Sequence, residues 1–552
     1  MIYPKIPLAQ SILEICLAKG VTDIVISPGS RNAPLTIGFA NNPNFNCYSI
    51  ADERCGAFFA TGMAQQLKKP VAVICTSGSA LLNYYPAVAE AFYSQIPLIV
   101  ISADRPHDKI DIGDGQTIRQ ENVFANHILL SANLLEDASS ENDRLINEAI
   151  NIAQLEKGPV HINAPFEEPL YETVTELSVQ SEVFDRIVEV PKIIEDLTPY
   201  LQKWNSAKKK LILVGVNDPS TIDKAIIEQL AKDPSVTVMV ETTSNLHHDS
   251  FLNSIDTVIT PFTPDDFEAY RPEILLTFGG MVVSKRVKAW LRKYNPKEHW
   301  HIDPYRAYDT FGALTKHFEI DANTFFAEFL PQTIVVESNY HAMAQELNAL
   351  RKIKHDEYLA TIPFSDFKAY EIILPQLPEN SQLQVSNSSA IRYLQLFDVK
   401  ESIEVFCNRG TSGIDGCTST AVGAAVGSGK ENIVITGDVS FLYDSNALWN
   451  NYIPKDFKII VINNGGGGIF RILPGHQETP VFNTYFETEH HLTAEHLAKM
   501  YGFGYQQASD EANLKSELDR FLQKSDKPKL LEVFTPMREN DKILMQYFKE
   551  LA

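Results

Sequence analysis

GDVSFLYDSNALWNNYIPKDFKIIVINNGGGGIF, residues 437–470, places an acid straight after one strand-like run and two asparagines straight after another. NIVIT leads into Gly437-Asp438, and KIIVI leads into Asn463-Asn464 and four glycines. Phe441, Leu442, Ala447 and Leu448 between them form an apolar pattern that predicts a helix. A parallel strand-helix-strand unit would present Asp438 and Asn464 at the carboxyl ends of two strands, where open α/β sheets bind ligands. A carboxylate, an amide oxygen and a free backbone carbonyl suit a hard cation. Mg²⁺ prefers one or two carboxylates and completes its octahedron with substrate phosphates. The glycines let the backbone approach a diphosphate closely. The competing reading of this stretch alone is an ordinary βαβ unit with a glycine-rich turn.

The chain has 552 residues, enough for about three or four domains. A hydrophobic content of 44% with 21% charged residues describes a globular protein with ample core. The formal charge of −22 argues against nucleic acid and anionic membranes as partners, though one pocket can still be basic. Six cysteines show no Cys-x-x-Cys spacing, the usage of a reduced, cytoplasmic protein. The start, MIYPKIPLAQ, lacks a basic region followed by an apolar core, so no signal peptide is expected. No apolar run reaches the ~18 residues of a membrane span.

Strands and helices alternate through the first third. TDIVIS, VAVICT and PLIVIS read as strands; IPLAQSILEICLAKG, ERCGAFFATGMAQQL and YYPAVAEAFYSQ read as helices. The text from about residue 170, LYETVTELSVQSEVFDRIVEVPK, is acidic and loop-like, as in a linker. The middle restarts with KKLILVGVN, PSVTVMVE and PEILLTFGG, and a mostly polar helix follows near residues 338–360. The last third restarts with LQVSNSSAIRYLQ. The expected architecture is three α/β domains, each a doubly wound parallel sheet, over 1–180, 190–335 and 345–552. No strict repeat is visible, only a recurring layout of strand, glycine turn and helix.

Polar residues collect where strands end. Ser30 and Arg31 follow DIVIS and precede an apolar helix-like run; there they form either an anion site or a plain helix cap. Glu53 opens a helix of small and aromatic residues and, taken alone, is a dipole-complementing first-turn acid. Thr76-Ser77-Gly78-Ser79 suits close approach by a flat ligand. Arg105 ends PLIVISADR, and Gln116 lies in the glycine-rich loop DIGDGQTIRQ, where Arg119 reads as solvated. Ser388 and Arg392, four apart in NSSAIR, share one helix face.

The Gly-Asp and Asn-Asn pair resembles the diphosphate motif of thiamine-diphosphate enzymes, with Val439 where many have a second glycine. SPGSRNAPL, DERCGAFFATG, TSGSA, ISADRP, GQTIRQ and NRGTSGIDG are similar to the signature segments of one family of these enzymes. It is the 2-succinyl-5-enolpyruvyl-6-hydroxy-3-cyclohexene-1-carboxylate synthase family of menaquinone biosynthesis. The likeness runs in order from about residue 27 to 470.

The resemblance implies a thiamine-diphosphate-binding fold, with a pyrimidine-binding first domain, a central Rossmann-like domain and a diphosphate-binding third domain. It implies a homodimer or homotetramer in which the cofactor lies between the first domain of one subunit and the third of another. It also implies the reaction: 2-oxoglutarate is decarboxylated and its succinyl carbanion is added to isochorismate. Glu53 is then the glutamate on the aminopyrimidine ring, and Ser77 and Ile414 are further cofactor contacts, Ile414 wedged between the two rings. Asp438, Asn464 and the carbonyl of Gly466 hold Mg²⁺, or Mn²⁺ in its place. Both substrates are dianions, and guanidinium groups match carboxylates in bidentate fashion. Ser388 and Arg392 correspond to contacts for the far carboxylate of 2-oxoglutarate, and Arg409 to the arginine before Gly-x-Ser-Gly. Ser30, Arg31, Arg105 and Gln116 match the family's first-domain substrate contacts. Lys285 and Arg286 match a basic pair of the middle domain, with a solvated helix start as the equal alternative. Ile469 and Phe470 form an apolar wall. Gly115 stands where some relatives carry a larger polar side chain.

Three other motifs fail on detail. GAAVGSGKE lacks the opening glycine and the hydroxyl residue of a phosphate loop. His490, His491 and His496 lack the zinc-peptidase spacing and read as surface or core histidines. Gly279-Gly280 is followed by no Gly-x-Gly-x-x-Gly. The nearest rivals are another thiamine-diphosphate enzyme, such as a 2-oxoacid decarboxylase or acetohydroxyacid synthase, and a non-catalytic cofactor-binding protein. Neither accounts for Glu53, Asp438, Asn464 and the arginines together.

Overall fold

The computed structural model describes residues 1–186, 195–473, 475 and 477–552. Each third of the chain forms a parallel sheet. The strands of the first lie in the spatial order Asn46–Ser49, Asp23–Ile26, Val71–Cys75, Leu98–Asp104, Val160–Pro165, Leu130–Asn133. All neighbours are parallel. The third sheet repeats this order with Glu404–Phe406, Gln382–Val385, Asn432–Gly437, Lys458–Asn463, Lys529–Phe534 and Gly504–Ala508. The central sheet runs Val236–Val240, Lys210–Val214, Ile274–Phe278, Glu298–Ile302, Leu314–Phe318, again parallel throughout.

Helices cover both faces of these sheets, so their inner strands are continuous apolar runs rather than alternating ones. In the first sheet, Val71, Val73 and Cys75 face one core while Ala72 and Ile74 face another. The first of these cores also takes Ala421, Val434, Ile459 and Val461 from the third domain. The two outer domains are therefore welded by shared apolar packing.

The weld is closest between the Glu53–Leu67 and Cys417–Ser428 helices. A Cβ on Gly62 would lie 2.0 Å from the Thr420 carbonyl oxygen, and one on Gly423 would lie 1.9 Å from that of Phe59. The contact is reciprocal. The glycine of each helix meets the carbonyl that sits three residues before the glycine of the other. GAAVGSGKE thus belongs largely to a packed helix, not to a phosphate loop.

The Tyr340–Leu359 helix links the central and third domains, burying Ala344 in the core of one and Leu359 in that of the other. Asn245 of the central domain caps the edge strand Glu404–Phe406: its amide accepts from Val405 N–H at 2.8 Å and donates to Val405 C=O at 2.9 Å. An exposed strand edge is closed this way. The stretch read as a linker holds one short strand, Thr173–Val174, paired antiparallel with Tyr3–Pro4. Residues 187–192 of that stretch lie outside the described residues. No helix among the described residues is long and apolar enough to cross a membrane.

Candidate active site

Four loops follow four adjacent strands at the carboxyl edge of the third sheet, and each carries residues singled out above. After Gln382–Val385 the chain reaches Ser388, at φ 69°, and turns into the Ser389–Leu394 helix. Arg392 folds back on that helix and donates to the Ser388 carbonyl at 2.6 Å. After Glu404–Phe406 comes Arg409, which donates to Asn387 Oδ1 at 2.6 Å, while its Nε has no hydrogen-bond partner. Asn387 also donates to the carbonyls of Asn408 and Gly413, so one buried amide shapes the whole Arg409–Ile414 loop.

Asp438 opens a helix immediately after Asn432–Gly437. The expected helix from Phe441 to Leu448 is shorter: it ends at Tyr443, and a separate 3₁₀ turn covers Ser445–Leu448. The break has a cause. Asp444 turns inward, accepting from Ser419 N–H at 2.7 Å and Ser419 O–H at 2.8 Å and pairing with Arg54 at 3.2 Å. Ser440 donates to the Ile414 carbonyl at 3.0 Å, which ties the Ile414 loop to the Asp438 helix.

The Asp438 carboxylate is buried and accepts from Gly465 N–H at 2.8 Å and Gly466 N–H at 3.0 Å. Gly465 and Gly466 have φ of 80° and 156°, the latter in a region that side chains disfavour. The glycine turn packs under residues 487–490: a Cβ on Gly466 would meet the Glu487 carbonyl at 2.7 Å. Arg471 and Glu487 form a buried bidentate ion pair beneath that segment. His490, read from the sequence as a surface or core histidine, instead stands against Asp438 at 3.4 Å. Asn464 donates to Asp366 at 2.9 Å. Asp366, Arg392, Asn464 and Ile469 line one narrow cavity, and Phe470 packs against Phe486 beside it.

The first sheet repeats the arrangement. Gly29 lies so close to Thr76 that a Cβ there would be 2.3 Å from the Thr76 Cβ, so the Ser30-Arg31 turn rests on the Thr76–Ser79 turn. Arg31 is buried, donating to the Phe166 carbonyl at 2.9 Å and to Glu168 at 3.1 Å, with its Nε unpaired. Ser77 is buried. Arg105 donates to the Gly115 carbonyl at 3.1 Å. Gln116, at φ 56°, crosses over Gly78. Arg119 is exposed and pairs with Asp111.

Glu53 is half-buried at the head of its helix, with its charge felt by Cys75 and Tyr84. Its neighbours join the two outer domains. Arg54 pairs with Asp415 and donates to the Tyr443 carbonyl at 3.2 Å, and Asn446 donates to Asp52 at 2.8 Å. No hydrogen bond or ion pair among the described residues links Glu53 to Ile414, Asp438 or Asn464. Lys285 and Arg286 begin the Lys285–Lys293 helix. Lys285 is exposed, and Arg286 lies over the Phe548 ring at 4.4 Å. The segment just before is pinned by buried Glu241, which accepts from Val283 N–H at 2.6 Å and Ser284 N–H at 2.7 Å. Burial pushes the Glu241 carboxyl up to about 7.

The sequence reading did not single out Asn387, Glu90, Asp366, Glu241 or Gln120. Gln120 accepts from Gly78 N–H at 2.8 Å and donates to Asn163 at 2.9 Å.

The third-domain donor set is a carboxylate, an amide oxygen and backbone carbonyls, all hard oxygen ligands, and it fits a divalent cation bound with a diphosphate. A family model described as "Thiamine pyrophosphate enzyme, N-terminal TPP binding domain" matches residues 6–127. Its C-terminal counterpart matches residues 388–533. Fold and comparison together define a thiamine-pyrophosphate enzyme. Over 555 residues and 100% of both chains, the protein is 68% identical to the 2-succinyl-5-enolpyruvyl-6-hydroxy-3-cyclohexene-1-carboxylate synthase of Flavobacterium johnsoniae. The enzyme of that name from Flavobacterium psychrophilum is 68% identical over 100% of both chains. That from Christiangramia forsetii is 53% identical over 99% of both. The chain belongs to the 2-succinyl-5-enolpyruvyl-6-hydroxy-3-cyclohexene-1-carboxylate synthase family.

Proposed function

We propose that this protein decarboxylates 2-oxoglutarate and transfers the succinyl unit to isochorismate, giving 2-succinyl-5-enolpyruvyl-6-hydroxy-3-cyclohexene-1-carboxylate and CO₂ in menaquinone biosynthesis. One observation carries the reading beyond family membership. Arg392, on the Ser389–Leu394 helix, lines one cavity with Asn464, and Arg409 stands on the loop after the neighbouring strand, so two guanidinium groups suited to a dicarboxylate lie near a turn suited to a metal diphosphate.

Thiamine diphosphate, when bound, supplies the nucleophilic carbon and the electron sink. Asp438, Asn464 and the Gly466 carbonyl would hold Mg²⁺ or Mn²⁺. Glu53 would hold the pyrimidine ring of the cofactor, its carboxyl group offering a shared proton there. Ile414 and Ser77 shape the cofactor's seat. Ser388 and Arg392 take the far carboxylate of 2-oxoglutarate, and Arg409 offers its unpaired Nε to an anion. Ser30, Arg31, Arg105 and Gln116 hold the second substrate, with Lys285 and Arg286 approaching from the central domain. Ile469 and Phe470 exclude water from the reacting carbon, which strengthens each of these charge contacts.

The protein acts in the cytoplasm as a homodimer or homotetramer, with Glu53 of one chain serving the metal turn of another. Its units are 1–180 for the pyrimidine, 190–335 as the central domain and 345–552 for the diphosphate. The test is product identification after mixing the protein with thiamine diphosphate, Mg²⁺, 2-oxoglutarate and isochorismate. CO₂ release at the same rate without isochorismate, and no adduct, would indicate a simple 2-oxoacid decarboxylase instead.

A further inference from the structure

Asp366 lies outside every motif discussed above, in the short stretch PFSDF at the start of the Asp366–Ile373 helix. It is 2% exposed, yet among the described residues no cation pairs with it. Its contacts are instead fully specified. Oδ1 accepts from Thr535 O–H at 2.5 Å, and Oδ2 accepts from Asn464 Nδ2 at 2.9 Å. Its own N–H donates to Asn540 Oδ1 at 2.8 Å. Thr535 is fixed in turn, its N–H donating to the Asn463 carbonyl at 3.0 Å, one residue before Asn464. The Asp366 carboxylate is thus locked against the end of the Lys458–Asn463 strand.

An asparagine side chain has a donor end and an acceptor end of nearly equal size, and only its surroundings choose between its two orientations. A carboxylate only accepts, so it must face the NH₂ end. Reversing the Asn464 amide would bring two oxygens together where a 2.9 Å hydrogen bond now stands. Asn464 Oδ1 is therefore turned away from Asp366, and it accepts no hydrogen bond among the described residues.

We propose that Asp366 is a positioning residue for the cation turn: it holds the Asn464 amide with its oxygen outward, the only orientation in which Asn464 can serve as a metal ligand. This rests on the metal role given above to Asp438 and Asn464. Partners that orient ligands from outside the coordination sphere typically change metal affinity by about 10–100-fold when replaced.

The test swaps the two chemical roles. In Asp366→Asn, Thr535 still donates to the new amide oxygen, and the new NH₂ group faces Asn464. The Asn464 amide then turns its oxygen inward and presents NH₂ to the metal. In the double variant Asp366→Asn/Asn464→Asp, the side chain at 464 is a carboxylate. It accepts from residue 366 and still shows an oxygen outward, and the net charge is that of the wild type. Mn²⁺ binding to the full-length protein with thiamine diphosphate, read from the free-ion electron paramagnetic resonance signal, reports the site without turnover.

The expected result is a loss of at least tenfold in Mn²⁺ affinity for Asp366→Asn and recovery to within about threefold of wild type in the double variant. Unchanged affinity in Asp366→Asn overturns the proposal, as does a loss that the double variant fails to recover. Should Asp366→Asn not fold, the double variant decides: wild-type affinity supports the assignment and weakened affinity overturns it. A wild-type protein that binds thiamine diphosphate equally well without any divalent ion would instead remove the underlying metal role.

Discussion

Glu90 and Thr411 stand 321 positions apart, and the Glu90 carboxylate accepts from both the N–H and the O–H of Thr411, at 2.7 and 2.8 Å. The same carboxylate accepts from Gly410 N–H at 2.7 Å and Ser94 O–H at 2.8 Å, and it is 1% exposed. A first-domain acid therefore fixes the loop that carries Arg409 and Ile414. Glu90→Gln keeps the shape but replaces one charged acceptor by a donor. The expected outcome is a rise of about tenfold in KM for 2-oxoglutarate, measured by initial rates. An unchanged KM would show that the loop holds its form without Glu90.

Gly62→Ala and Gly423→Ala each drive a methyl group into a backbone carbonyl at about 2 Å. Neither helix can retreat without opening the core that the outer domains share. Each substitution is expected to cost about 3 kcal/mol, read as a lower denaturation midpoint for the transition involving these domains. Gly115→Ala, where nothing lies within 4 Å of the added carbon, serves as the neutral comparison.

Glu53→Gln should bind thiamine diphosphate but lose most activity, and Asp438→Ala should lose metal-dependent cofactor binding. Mixing the two inactive proteins under conditions of subunit exchange tests where the site lies. If Glu53 of one chain serves Asp438 of its neighbour, half the sites in each mixed pair are intact, and about a quarter of wild-type activity returns. No recovery, with exchange confirmed, would place both residues in one chain's site.

Arg392→Ala removes a guanidinium that now rests on the Ser388 carbonyl. Its main effect should be on KM for 2-oxoglutarate, by about tenfold or more, because a charged hydrogen bond to the bound substrate is lost. A fall in kcat with KM constant would move Arg392 from substrate binding to the reacting centre.

Burial pushes the Asp444 carboxyl up to about 6, from an ordinary value of 3.8, although Ser419 and Arg54 pull it down. Burial lowers Arg54, but the Asp444 charge and its other acidic neighbours raise it on balance. The pair therefore attracts, and at Asp444 the burial cost still wins. Because the folded value exceeds the unfolded one, this group's contribution to stability is complete below about pH 4 and fades as the pH rises to about 6. Measured against Asp444→Asn by denaturant titration, the wild type should lose relative stability across that window. A relative gain there would mean that attraction to Arg54 outweighs burial.

Much of this was legible from local text. VAVIC and PLIVIS are apolar almost throughout because sheets covered on both faces leave no polar side, and glycine, serine and arginine clusters mark the carboxyl ends of strands, where open α/β sheets in general bind ligands. Other features had no local signal. Glu298–Ile302 and Leu314–Phe318 are polar enough to hide as strands. Glu90, Asn387 and Asp366 sit in unremarkable segments, and their roles exist only through partners in loops or domains far along the chain. His490 misled for the same reason: spacing on the chain says nothing about Asp438 lying beside it. The helix expected through Leu448 stops short because Asp444 is drawn off by Ser419 and Arg54, which no periodicity reveals.

The reciprocal glycine contact has a further implication for ancestry. Two domains with one strand order, meeting through helices that trade the same contact in both directions, have the form that a self-pairing unit copied in tandem would leave. Arg54 and Asp415, an ion pair 361 positions apart, mark corresponding places in the two copies, and one step back along each stand Glu53 and Ile414. Two fused copies would be free to diverge at that place, one carrying the acid Glu53 and the other the hydrocarbon side chain of Ile414. A symmetric dimer of a single gene, bound to use one residue for both jobs, would have no such freedom.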